Sequence, residues 1–157
     1  MKIKKVPMRA GLASADYLWP VFKMVDGLIF FSWCAPPSCL TQSPDRTYVE
    51  HNANHTHVLD CFSHSAHLPD EPWWEDEHPD FRAACVFGKR WAEAVAAKLA
   101  HDFPTRGFFV YYTEYDNPIV RFHQEHQGER PYMTPEEWVE EIAAETIVIH
   151  HVRARGT

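Results

Sequence analysis

The feature that most constrains the fold is one long amphipathic segment that leads directly into two strand-like segments. From Phe81 to Leu99, apolar or small residues recur at steps of three and four, which is the period of one face of a helix. Pro79 suits the first turn of a helix, and Pro104 prevents the helix from continuing. Gly88 lies on the apolar face, where it costs roughly 1 kcal/mol of helix propensity relative to Ala. The sequence therefore predicts a helix of about six turns that approaches a strand closely at Gly88.

Two strand-like segments follow the helix and are joined by turn residues. Residues 108–115 and 119–126 are rich in β-branched and aromatic side chains, and Asp116-Asn117-Pro118 between them is typical of a turn. The sequence therefore predicts an antiparallel hairpin that packs one face on the helix, and a shift of one residue in its register exchanges the two faces. The face expected against the helix carries Phe109, Thr113, Tyr115, Val120 and Phe122.

The other face of the hairpin is a candidate ligand-binding surface. If the loop has two residues, Glu114 lies opposite Arg121, and Tyr112 lies opposite His123. A Glu beside a His can act as an acid/base pair, and an Arg can hold an anionic group. The alternative is a set of solvated cross-strand pairs without a functional role. We predict Tyr112, Glu114, Arg121 and His123 as ligand-binding residues.

The remaining elements are shorter, and they do not alternate as regular strand-helix-strand units. The pattern predicts an α+β fold in a single domain, residues 1–157, with a mostly antiparallel sheet of about four to five strands. One long helix and two shorter helices are expected on one face of that sheet. The shorter elements predicted are an edge strand at 2–6, a helix over 17–25 closed by Gly27, strands at 28–34, 48–50 and 56–63, a helix starting at Thr134-Pro135-Glu136-Glu137, and a last strand at 147–152.

Composition bounds the class of protein. A chain of 157 residues that is 45% hydrophobic can bury a substantial core. A net charge of −7 disfavours nucleic acid as a partner, and the longest apolar run, residues 27–35, is too short to span a membrane. The four cysteines form neither a CxxC pair nor a dense framework, which favours a reducing environment. We therefore expect a cytoplasmic protein that binds neither nucleic acid nor membrane.

Residues 38–78 form a long segment of poor periodicity that is both acidic and rich in His. The chain has no Lys or Arg between Arg46 and Arg82, and six of its 11 histidines lie in this segment. Irregular segments of this length in compact domains are often functional. We predict that the chemistry of the protein is concentrated here.

A metal site is the first hypothesis for this segment. His55 and His57 are two residues apart, so on a strand both imidazoles would lie on one face. Two such rings, together with a carboxylate or a third His, can bind Zn²⁺ or another divalent transition metal ion. The alternative is a polar loop that is rich in His. The candidate metal ligands are His55, His57, Asp60 and His51.

A binding surface is the second hypothesis for the segment. Trp73 and Trp74 lie among carboxylates, and a surface of this kind can bury aromatic anchors against a basic protein partner and attract it by charge. Alternatively, the two rings belong to the core and the acids favour the start of the following helix. Exposed aromatic surface also favours self-association, so a homo-oligomer is a further alternative.

The sequence does not contain a complete catalytic motif or a phosphate-binding glycine loop, and it therefore does not determine the function. The leading interpretation is a small binding protein that recognises a basic protein partner or a small molecule through the acidic, His- and Trp-rich segment. The alternative is a metal-dependent hydrolase in which an ion held by His55 and His57 activates water. Whether the protein is an enzyme is left open.

Overall fold

The computed structural model describes residues 15–34, 43–61, 78–115 and 117–156. Two antiparallel sheets, one of two and one of four strands, pack with helices, so the predicted α+β fold class is confirmed. The larger sheet has the strand order β3-β5-β4-β6. The strands are β1 (Phe22–Val25), β2 (Leu28–Phe31), β3 (Thr56–His57), β4 (Phe108–Thr113), β5 (Ile119–Gln124) and β6 (Ile147–Val152); the helices are α1 (residues 15–18), α2 (Arg46–Ala53), α3 (Pro79–Asp102) and α4 (Val139–Ala143).

Helix α3 confirms the long predicted helix. It begins with Pro79 in its first turn, and it buries the predicted apolar stripe, including Trp91, against the four-stranded sheet. A Cβ atom added at Gly88 would lie 2.7 Å from the Cε2 atom of Tyr112 on β4. Real Cβ atoms do not approach other carbons this closely, so the glycine allows the close contact between helix and strand that its position predicts.

The β4–β5 hairpin is confirmed, but the predicted register is wrong. Thr113 lies opposite Ile119, so five residues separate the strands where a two-residue loop was expected. Tyr111, and not Glu114, lies opposite Arg121. The register differs from the prediction by three residues, an odd number. Each face of β4 therefore lies on the same side of the sheet as the face of β5 that was predicted on the other side.

The core explains this register. Val110 and Tyr112 on β4 lie on the same face as Val120 and Phe122 on β5, and all four are buried against α3. In the predicted register the first two would lie opposite polar residues instead. The burial of four large apolar side chains therefore determines the pairing.

The face of the sheet opposite α3 has a smaller core of its own. Tyr111, Met133 and Ile147 are buried there, and Trp138 and Ile142 at α4 pack against them. The short helix α4 therefore lies across the sheet from α3, which corrects the expectation that the helices share one face. The predicted helix start is present as a capping box between Thr134 and Glu137, followed by one 3₁₀ turn, Pro135–Glu137, and then by α4; the predicted last strand is β6.

The predicted helix over 17–25 is wrong, because within it only residues 17 and 18 are helical, at the end of α1, and Phe22–Val25 form the strand β1. Val25 pairs with Leu28 across a two-residue turn, in which Asp26 and Gly27 both have positive φ, 51° and 79°. An Asp-Gly pair with this conformation is typical of tight hairpins. Gly27 is therefore a turn residue and not the end of a helix, and the strand predicted at 28–34 is confirmed as β2.

The predicted strand at 48–50 is also wrong, because this segment belongs to helix α2. The Asp45 side chain accepts a hydrogen bond from the Tyr48 backbone N–H at 2.7 Å, which caps the first turn. Of the strand predicted at 56–63, Thr56–His57 forms β3 and Leu59–Cys61 forms a 3₁₀ turn, whereas residues 62 and 63 lie outside the described residues. The edge strand predicted at 2–6 lies outside the described residues.

Helix α2 joins the two sheets through a fully buried carboxylate, that of Glu50. Its Oε1 atom accepts from the Ile29 backbone N–H at 2.6 Å. Both the backbone N–H and the side-chain amide of Gln124 also donate to the carboxylate, at 2.7 and 2.6 Å, and the His126 Nε2–H donates at 2.9 Å. Four donors from both sheets therefore converge on one side chain.

Asn54, one turn further along the chain, makes a second connection of the same kind. Its Oδ1 atom accepts from the Phe31 backbone N–H at 3.0 Å. Its amide group donates to the Ile29 carbonyl at 2.9 Å and to the Phe122 carbonyl at 3.3 Å. Among the described residues, β2 and β5 are not hydrogen-bonded to each other. The side chains of Glu50 and Asn54, in α2 and at its end, satisfy backbone groups of both strands instead.

Across residues 15–34, 43–61, 78–115 and 117–156, no helix has both the length and the apolar composition that are needed to cross a membrane.

We predict that Glu50→Gln lowers the free energy of unfolding by about 3 kcal/mol, because the new amide nitrogen is a donor that faces other donors in a buried site. Urea unfolding followed by circular dichroism measures the change. Glu93→Gln, on the exposed surface of α3, is the matched control and should alter stability by about 0.5 kcal/mol or less. Equal effects of the two substitutions would contradict the role of Glu50.

Candidate functional site

The polar residues of interest meet on the face of the four-stranded sheet that is turned away from α3. Arg121 and His123 on β5 lie on this face with Tyr111 of β4. His57 on β3 pairs with Ile119, so it lies on the same face as Arg121. His55, two residues earlier, points to the same side. The pairing of β3 with β5 therefore brings four of the predicted site residues, His55, His57, Arg121 and His123, to one surface.

Arg121 is 7% exposed and has an unusual environment. Its Nη1 atom donates to the Tyr132 hydroxyl at 3.3 Å, and its Cζ atom lies 5.2 Å from the centre of the Tyr132 ring. Its Nε–H is buried and has no hydrogen-bond partner among the described residues. Burial lowers the pKa of the guanidinium, and none of the described carboxylates forms an ion pair with it.

Tyr132 connects Arg121 to a cavity of about 940 Å³. Its ring stacks on the ring of His51 from α2, with 3.8 Å between the centres. Burial, and then the charges of Arg121 and His123, lower the pKa of His51 to about 4, so that this imidazole is neutral at neutral pH. The cavity is lined by Pro44, Asp45, Thr47, Tyr48, His51, Asn52, Glu129, Arg130, Pro131, Tyr132, Glu137 and Trp138.

His123 holds Tyr132 in place. Its Nδ1–H donates to the Gln124 carbonyl at 2.6 Å, which leaves Nε2 as an acceptor. The Tyr111 hydroxyl donates to this Nε2 at 2.9 Å, and the Tyr132 backbone N–H donates to it at 3.2 Å. Burial lowers the pKa of His123, consistent with a neutral ring. Both ring nitrogens of this predicted site residue are therefore engaged within the protein.

The predicted metal ligands are divided between two places. The Nε2 atoms of His55 and His57 lie 2.8 Å apart, and Asp60 lines the same cavity, of about 650 Å³. His51 instead stacks on Tyr132 at the other cavity. Within the part of the chain that the structure describes, no three His, Cys, Asp or Glu side chains come together as a metal-binding group.

Tyr112 and Glu114 lie on the side of the sheet that faces α3. The Tyr112 hydroxyl donates to the Glu114 carboxylate at 3.0 Å, and Lys89 of α3 forms an ion pair with the same carboxylate at 3.5 Å. These two residues are thus separated by the sheet from Arg121 and His123, and the predicted grouping of all four on one face is wrong. Trp73 and Trp74 lie outside the described residues.

Tyr132 is the functional candidate that the sequence analysis did not find. It lies between the hairpin and the start of the next helix, where no hydrophobic periodicity marks a core position. A lone aromatic residue between Pro131 and the capping Thr134 is the signal that could have drawn attention to it. Only the fold shows that it covers Arg121.

Comparisons with protein-family models, with curated proteins and with solved structures find no match to this chain.

We predict that His51 makes the stability of the protein depend on pH. An unfolded chain has the ordinary His pKa of 6.5, above the folded value of about 4, so the unfolded state binds more protons in this interval. The contribution of His51 is therefore complete above pH 6.5 and is lost as the pH falls toward 4. His51→Phe keeps a ring against Tyr132 but cannot titrate.

Urea unfolding of both proteins across this pH interval measures the effect. The free energy of unfolding of the original protein should fall more steeply with decreasing pH than that of His51→Phe. All other titrating groups are common to the two proteins, so parallel curves would show that His51 is not held in its neutral form.

Proposed function

We propose that this protein binds a small aromatic molecule that carries one anionic group, with the anion at Arg121 and the aromatic part in the cavity beside Tyr132. The observation that carries this proposal is the buried guanidinium, which has no anionic partner within residues 15–34, 43–61, 78–115 and 117–156. Burial of an unpaired charge is costly, and pairing with a carboxylate or phosphate oxygen offsets that cost. An Arg also presents a planar set of donors that suits these groups.

The charge pattern of the chain makes this Arg distinctive. The protein has 22 acidic and 15 basic residues, so acidic partners are in excess. Lys89, Lys98 and Arg130 each pair with a nearby carboxylate, although all three are more accessible than Arg121. The contact with Tyr132 offsets only part of the cost of burying the guanidinium. A cation–π contact contributes about 0.5–2 kcal/mol and does not give the Nε–H a hydrogen-bond acceptor.

The cavity beside Tyr132 fits the non-ionic part of such a ligand. Its volume of about 940 Å³ lies in the range of small-molecule sites. Tyr48, Tyr132 and Trp138 supply aromatic walls, which favour an aromatic ligand. Glu129 and Glu137 also line the cavity and would repel a ligand with several negative charges. The ligand class is therefore an aromatic monoanion, which enters past Tyr132 and replaces its hydroxyl at Arg121.

The small-molecule interpretation is favoured over a basic protein partner at this site, because Arg121 is only 7% exposed and is too buried for a protein surface to contact. Recognition of a basic partner by Trp73 and Trp74 stays a prediction about residues outside the described ranges. Anion binding at Arg121 does not require a metal ion, so it is also independent of the hydrolase hypothesis. Cys34, Cys61 and Cys85 do not form disulfides with one another, which agrees with the cytoplasmic location that we expect.

We predict that Arg121→Met abolishes anion binding without destabilising the protein. Benzoate should raise the melting temperature of the original protein in a concentration-dependent way, whereas benzamide, its neutral analogue, should not. The variant should not respond to benzoate. In the absence of ligand its free energy of unfolding should equal or exceed that of the original protein, because the substitution removes a buried charge that none of the described carboxylates pairs with.

Arg106→Met is the matched control. Arg106 donates to the Gly27 carbonyl at 3.2 Å and to the Gln124 side chain, so its loss should cost about 2 kcal/mol while the response to benzoate is kept. A benzoate response that survives in Arg121→Met would refute the proposal, as would equal responses to benzoate and benzamide.

A further inference from the structure

The ring nitrogens of His55 and His57 converge in a second cavity. Their Nε2 atoms are 2.8 Å apart, and the two rings are nearly parallel, with 4.6 Å between their centres and 11° between their planes. His55 directly precedes β3, and the pairing of Thr56 and His57 with Val120 and Ile119 holds this part of the chain against β5. The backbone therefore fixes the approach of the two rings.

We propose that His55 and His57 together bind a divalent transition metal ion of tetragonal preference, Cu²⁺ or Ni²⁺, through their two Nε2 atoms. This inference goes beyond the proposed function and does not depend on it, because none of the residues proposed to contact the anion is a ligand of the ion.

The distance between the nitrogens selects the ion. Metal–nitrogen bonds of about 2.0–2.1 Å to two atoms 2.8 Å apart enclose an angle of about 85° at the metal. Neighbouring ligands of a square-planar or octahedral ion enclose about 90°, whereas those of a tetrahedral ion enclose about 109°. The two Nε2 atoms share a hydrogen bond at this distance, so the ion has to replace that hydrogen. The spacing then suits Cu²⁺ or Ni²⁺ and has to open by roughly half an ångström for tetrahedral Zn²⁺.

The surroundings suit a cation with open coordination positions. The cavity of about 650 Å³ is also lined by Asp16 and Asp60, whose carboxylates attract a positive ion. The Cys61 Sγ–H donates to the His57 carbonyl at 3.4 Å and is thus already engaged. Water completes the coordination in this arrangement. The charge of nearby Arg121 opposes that of the ion, so we expect weaker binding than at a structural site with four protein ligands.

Protein prepared without an affinity tag and stripped with chelator tests this proposal by isothermal titration calorimetry. We expect one equivalent of Cu²⁺ and weaker binding of Ni²⁺, following the usual order of metal affinities, with no binding of Mg²⁺ or Ca²⁺. His55→Ala and His57→Ala should each weaken Cu²⁺ binding at least tenfold.

The double variant His150→Ala/His151→Ala is the matched control. It also removes two histidines, but these are adjacent on β6 and therefore project from opposite faces of the sheet, where they cannot share an ion. Its Cu²⁺ affinity should match that of the original protein. Equal loss of binding in this control, or unchanged binding in the His55 and His57 variants, would overturn the proposal.

Electron paramagnetic resonance of the unmutated protein gives a test that does not depend on how the variants fold. One equivalent of Cu²⁺ should give a tetragonal spectrum with coupling to two imidazole nitrogens. A spectrum of Cu²⁺ bound by oxygen alone would overturn the proposal. Benzoate binding by Arg121 is measured separately, so failure of one site does not count against the other.

Discussion

The buried carboxylate of Glu50 is the interaction on which the arrangement of the two sheets depends. The β1–β2 hairpin and the four-stranded sheet do not share a hydrogen-bonded strand pair among the described residues, so backbone donors along their facing edges need other acceptors. Glu50 and Asn54 supply acceptors one helical turn apart. Because the partners lie on both sheets, these two side chains fix the position of α2 relative to β2 and β5.

The segment from Glu50 to His55 also positions two residues that face the cavities, His51 and His55. His51 follows Glu50 directly, and it points past the sheet edge to Tyr132. His55 follows Asn54 directly and begins the turn into β3, where it meets His57. Residues that join the sheets thus alternate with residues that face the two cavities. A change that displaced α2 would therefore disturb both the environment of Arg121 and the His pair, although it touched neither.

Local sequence patterns predicted those features whose cause is local. The bounds of α3 follow from Pro79 and from hydrophobic periodicity, and the approach of His55 to His57 agrees with their two-residue spacing, although only His57 lies in a strand. The hairpin register could not be predicted in this way, because it depends on which face α3 buries. Arg121 was predicted as a ligand residue, which stays a prediction, but it was assigned wrong neighbours, since its neighbour Tyr132 comes from a separate segment and carries no periodic signal.

The most direct test of the account is the state of the Arg121 Nε–H, which can be followed by nuclear magnetic resonance while benzoate is added. If the anion binds at Arg121, this signal shifts and its hydrogen exchanges with water more slowly, while the Nε–H signal of Arg106 stays unchanged. An Arg121 signal that does not respond, or a common shift of all arginine signals, would contradict the proposal that Arg121 binds the anion.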